Sequence, residues 1–211
     1  MADTPVSAPI ISAEGLGRAY TYAAYRQLLD GLMAQSRTTG TTQTEQLVHY
    51  AHLNIQRMRR LDKTVQLLPE LPAALSQLPQ PYVWLVLTEG WCGDAAQIVP
   101  VIEAIAKASR GQLTTRYLLR DEHPDLIDRY LTNGGRAIPK LIALRADTLT
   151  EVAVWGPRPQ PAQELFARRK QEQVPYEEFA TQLHGWYAKD HTRSTQRELL
   201  ALLQQLRQHA P

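Results

Sequence analysis

The chain has 211 residues, 44% apolar and 21% charged, and its 23 Lys and Arg against 21 Asp and Glu leave a formal charge of +2. That is ordinary globular composition, enough for one core with additions, and so small a charge argues against nucleic acid or an acidic membrane as partner. The single cysteine, Cys92, excludes an internal disulfide framework and any zinc or iron–sulfur site built from several cysteines of one chain.

Residues 1–17 have no basic start and no apolar run, so no signal peptide is read there. The longest apolar stretches, such as 83–87, fall far short of a membrane span. The expected address is the cytoplasm, a reducing compartment. Residues 1–20 are expected to be a flexible segment. Tyr22, Tyr25, Leu28, Leu29, Leu32 and Met33 then recur at helical spacing behind Thr21, a suitable N-cap. Beyond Gly40, Thr42 and Glu45 have the spacing of a T-x-x-E capping box, which predicts a helix with Leu47, Ala51, Ile55 and Met58 on one face. Residues 21–64 form a helical N-terminal extension in this reading, and a short helix is expected over 71–78.

From residue 82 the pattern changes. Tyr82 to Leu87 is a near-continuous apolar, β-rich run, as expected of a strand buried on both faces. A helical pattern follows with Ile98, Val101, Ile102 and Ile105, then a strand over 113–119. Pro124 opens a short helix that Gly134 can end. Two strands, over 141–144 and 152–155, meet in a turn around Asp147. The order strand, helix, strand, helix, strand, strand is an α/β unit closed by a hairpin. The remainder is helical, with Leu165 and Phe166 in one helix and Tyr176, Phe179, Leu183 and Trp186 in the next. The last carries Leu199, Leu202, Leu203 and Leu206 and opens at Ser194 or at a Thr195/Glu198 capping box.

Cys92 falls between the first strand of this unit and its helix. The helix dipole and free N–H groups there favour thiolate, the nucleophilic form. The same position also suits a small buried apolar residue, a frequent fate of free cysteine. His49 and His52 lie three apart on a helix without a third ligand, so no metal site is expected. The clusters Arg57, Arg59, Arg60 and Arg168, Arg169, Lys170 suit solvated helix faces.

Residues 85–105 resemble the active-site strand and helix of the thioredoxin family. Trp91-Cys92-Gly93 matches its W-C-G-P-C signature through the third residue, and Pro100 stands where the family helix carries its kinking proline. Gly135-Arg136-Ala137-Ile138-Pro139-Lys140-Leu141 resembles the loop with the family's cis-proline, and Gly156 stands near its glycine after the last strand. The resemblance implies a thioredoxin-like domain over 65–160, an α/β fold with a mixed sheet of about four strands flanked by helices, and a helical C-terminal extension, 161–211, packed on it.

The departures bear on function. Ala95 replaces the second cysteine, Asp94 the proline, and Val86 the family's buried acid. Without a resolving thiol, cycling between dithiol and internal disulfide is unavailable. The resemblance therefore implies monothiol exchange or thiol-based sensing at Cys92, in a groove formed by Trp91, Gly93, Asp94, Ile138 and Pro139. No resident cofactor is expected; glutathione or another small thiol would serve as reductant. The partners would be a protein thiol or disulfide, or a small thiol, with neither nucleic acid nor membrane. The alternative is a non-catalytic binding or adaptor module in which Cys92 is incidental. A glutathione-transferase-like enzyme ranks last, because too few residues follow Gly156 for its helical domain.

Overall fold

The computed structural model describes residues 8–208. Four helices precede the sheet: α1 (Ala13–Arg18), α2 (Tyr22–Met33), α3 (Glu45–Thr64) and α4 (Leu71–Ser76). Residues 1–20, expected to be flexible, differ from that expectation in part. Ser12 caps α1 by accepting the Gly15 N–H at 3.0 Å, and Ile10, Ile11 and Leu16 pack against the core. Residues 1–7 lie outside the described part. Thr21 caps α2 as its spacing predicts. Thr44 rather than Thr42 caps α3, accepting the Leu47 N–H at 3.2 Å. The shift follows from Gln43, whose amide spans Thr38 N, Thr38 O and Gly40 O and so holds residues 38–43 as a loop.

The central sheet has the order β2-β1-β3-β4. β1 (Tyr82–Thr88) runs parallel to β2 (Leu113–Leu119) and antiparallel to β3 (Lys140–Arg145), and β3 pairs antiparallel with β4 (Glu151–Trp155). The parallel pair needs a crossover, supplied by α5 (Gly93–Ala108). Every residue of β1 is buried, which explains its unbroken apolar run. Tyr20 exchanges two backbone hydrogen bonds with Tyr117, 2.9 and 2.8 Å, covering part of the outer edge of β2. The turn after β2 carries α6 (Pro124–Ile127), between two short 3-10 turns.

Three more helices follow: α7 (Gln160–Gln171), α8 (Tyr176–Asp190) and α9 (Arg193–Gln208). The expected capping box of the last helix does not form. The Asp190 carboxylate accepts the Ser194 N–H instead, at 3.0 Å. Glu198 accepts the Trp155 indole N–H at 2.7 Å and the Gln160 N–H at 2.6 Å, which ties α9 to the end of β4. Buried Gln196 accepts the Leu68 N–H at 2.8 Å and donates to Gln66 O at 3.0 Å. Tyr82, the first residue of β1, donates its hydroxyl to Leu206 O at 3.2 Å.

Candidate functional site

β1 ends at Thr88, and after a four-residue link, 89–92, the chain enters α5. Cys92 is the N-cap of that helix: its Sγ accepts the Ala95 N–H at 3.4 Å and donates to the carbonyl oxygen of Ile138 at 3.3 Å. The second contact brings the start of α5 against the segment before β3, where the Ile138–Pro139 peptide bond is cis. Gly156, at φ +113°, sits behind Pro139, and a side chain there would collide with the Pro139 carbonyl. The sequence pattern thus brings Cys92, Ile138, Pro139 and Gly156 to one end of the sheet.

The thiol is not the poised thiolate that its place at a helix start suggests. Cys92 is 8% exposed. Burial pushes the thiol up to about 12, and the Asp94 carboxylate adds to the rise. The Ala95 N–H and the Arg158 guanidinium oppose it but do not prevail. Desolvation of a charged sulfur outweighs the helix terminus here.

Asp94 itself is buried and paired. Its Oδ2 accepts Arg158 Nε at 3.1 Å and Nη2 at 2.5 Å, and its Oδ1 accepts the Tyr187 hydroxyl at 2.6 Å. Arg158 comes from the link between β4 and α7, and Tyr187 from α8, so one carboxylate joins α5 to both later elements. The Arg158 guanidinium lies 4.4 Å from the Phe166 ring centroid, and Phe166 meets Phe179 edge-on at 5.3 Å. The His184 ring rests against Gly93 and shares a 3.2 Å hydrogen bond with Gln97. Burial, aided by the Arg57 charge, pulls the imidazole down to about 4, so it is neutral at pH 7.

These groups enclose a cleft of about 210 Å³ at the sulfur. One side is formed by Trp91, Gly93, Asp94 and Ile138, and the other by Phe166, Tyr176, Phe179, Leu183 and His184. Pro139, expected in the groove, is not among the lining residues. Trp91 is half-buried, with the Arg120 guanidinium 4.7 Å from its ring centroid. His49 and His52 point to separate neighbours, Tyr50 and Gln56. Among the described residues, no group of three or more His, Cys, Asp or Glu is placed to hold a metal.

Sequence reasoning missed two features. The α7–α8 side of the cleft was legible only as an apolar stripe without an assigned target. Glu89, fully buried at the end of β1, accepts the Asp121 N–H at 2.9 Å, and burial holds its carboxyl above the usual range. It lies three residues beyond Val86.

A family model described as thioredoxin matches residues 40–173. No curated protein matches the chain. Among solved structures, one similar fold is a protein of unknown function from Pseudomonas aeruginosa, 15% identical, with a TM-score of 0.57 over 92% of this chain and 98% of that one. Another is an HIV epitope-scaffold, 16% identical, with a TM-score of 0.53 over 88% of this chain and 98% of its own. At such identities the likeness is one of fold alone.

Proposed function

The chain belongs to the thioredoxin family, and from that premise we propose that it is a thiol redox protein acting through one cysteine, Cys92, by monothiol exchange or thiol sensing in a reducing compartment such as the cytoplasm. The observation that carries this reading is the Cys92 sulfur, at the start of α5, in contact with the Ile138 carbonyl at 3.3 Å and lining a cleft. Ala95 holds the position of the resolving thiol and is 2% exposed, so release of a mixed disulfide falls to a small thiol such as glutathione. The resting thiol is protonated; exchange begins when an incoming disulfide displaces the contact with Ile138 and the sulfur gives up its proton. The test is to follow alkylation of Cys92 against pH and to trap a mixed disulfide by intact mass. A folded chain that forms no adduct, while the unfolded chain does, defeats the proposal.

Burial and the raised thiol favour a second reading, a non-catalytic module that binds a partner while Cys92 packs as an apolar residue. Cys92→Ser distinguishes the two. Unchanged partner binding and unchanged cellular redox phenotype select the module.

A further inference from the structure

A protein substrate of such a site would lay an extended strand beside Ile138 and pair with its backbone, which requires an open edge. That edge is closed. Ile138 is 5% exposed, and its carbonyl accepts the Cys92 thiol. Opposite stand Phe179 and Leu183, 8% and 5% exposed, on the α8 face that meets α5. The cleft between is about 210 Å³, below the range of roughly 300 Å³ and above in which drug-sized ligands bind.

The closing side is built into the fold. Asp94 grips Arg158 and Tyr187; Arg158 lies over Phe166, and Phe166 packs on Phe179. His184 leaves no room for a methyl group on Gly93, whose Cβ would lie 2.8 Å from Nε2. Asp94, the departure from the family motif beside the cysteine, is thus the residue on which the C-terminal helices are fastened.

We infer that α7 and α8, fastened by Asp94, act as a size filter that restricts Cys92 to low-molecular-weight disulfides and excludes protein strands. This rests on the reading of Cys92 as a nucleophile. In the step, the thiol proton passes to water and the sulfur bonds to one sulfur of the disulfide. The old S–S bond breaks, and the departing sulfur leaves as a thiolate that takes up a proton. Cys92 is oxidised to a mixed disulfide while half of the small disulfide is reduced to thiol. A second low-molecular-weight thiol reverses the change at Cys92 and leaves as the new disulfide.

The experiment exposes the full chain to bis(2-hydroxyethyl) disulfide and, separately, to insulin, and measures adducts on Cys92 by intact mass, with each rate divided by that of the urea-unfolded chain. The expected result is a hydroxyethyl adduct on the folded chain with the insulin adduct slower by on the order of a hundredfold, set by rare opening of the helices. Phe166→Ala with Phe179→Ala should raise the ratio of the insulin rate to the hydroxyethyl rate by about tenfold or more. Tyr176→Ala, at a side chain 61% exposed, is the milder opening if the double variant fails to fold. Comparable relative rates for both disulfides on the native chain overturn the filter and leave the exchange reading intact. Opened variants that still exclude insulin also overturn it. No adduct with either probe on the folded chain defeats the exchange reading itself.

Discussion

Asp94 and Arg158, 64 residues apart, form an ion pair of 2.5 Å in which the side chains are 8% and 10% exposed. The pair sits two residues beyond the sulfur, and its members act on the thiol with opposite signs: the carboxylate raises it and the guanidinium lowers it. Asp94→Asn should therefore speed alkylation of Cys92 at fixed pH, and Arg158→Gln should slow it. Each single change strands a buried charge and should cost about 3–5 kcal/mol in denaturant unfolding. The double variant should lose less than the sum. Singles that shift the alkylation rate in the same direction would contradict this account.

Cys92 also sets a pH limb. With the thiol held up to about 12, the alkylation rate should climb tenfold per pH unit from pH 7 to 10, without the plateau that a free cysteine shows near ~8.5. The same shift bears on stability. Above the unfolded value the unfolded chain sheds the proton and the folded chain keeps it, so this contribution is complete below pH ~8.5 and is lost as pH rises toward 12. By pH 10 the loss from this group is about 1–2 kcal/mol. Cys92→Ala should lack it, and the difference between the two unfolding curves reads it directly.

His184 gives a limb on the acid side. Its folded imidazole titrates at about 4 rather than 6.5. Between those values the unfolded chain binds the proton that the folded chain refuses, so stability falls as pH drops from 6.5 to 4, by about 3 kcal/mol for this group. His184→Gln should lose this share of the acid sensitivity. Equal losses for parent and variant between pH 7 and pH 4 would show that the ring is not held neutral.

Gly93 and His184 form a pair whose couplings change sign. A methyl group on Gly93 meets the imidazole at 2.8 Å, so Gly93→Ala should destabilise the chain by about 1–3 kcal/mol through overpacking. On a His184→Ala background the clash is gone and alanine's better helix propensity remains, worth up to about 1 kcal/mol in the opposite sense. A double-mutant cycle by thermal unfolding measures both signs.

The centre of the sheet was legible because β1 and β3 are buried on both faces and carry apolar runs, as at 82–87 and 141–144; the expected 113–119 strand is the observed one. The N-cap at Thr21 was legible for the same local reason. Where local signals competed, the outcome lay with residues elsewhere. Gln43 holds the loop at 38–43 and moves the cap of α3 to Thr44, and Trp155 and Gln160 claim Glu198 away from a capping box. The site divides in the same way. Trp91, Cys92, Gly93 and Ile138 are close in sequence to motifs and came together. Asp94 was legible as a departure from the motif, but its partners Arg158 and Tyr187 lie on later elements, and no spacing rule connects them. The thiolate expected of a helix start was outweighed by burial of the sulfur in the folded chain, which local sequence does not encode.

The hydroxyl of Tyr82 reaches the carbonyl of Leu206 across 124 residues, and Gln196 closes on residues 66–68 across a similar span. In terms of synthesis, the innermost strand waits for nearly the final helix: on a ribosome, β1 emerges long before the groups that complete its hydrogen bonding. Contacts so distant in sequence slow folding, and a nascent chain halted near residue 160 would present the unsatisfied faces of α4 and β4 to the cell. Those faces are covered only once α9 has emerged, so the yield in the cell depends on what shields them in the interval.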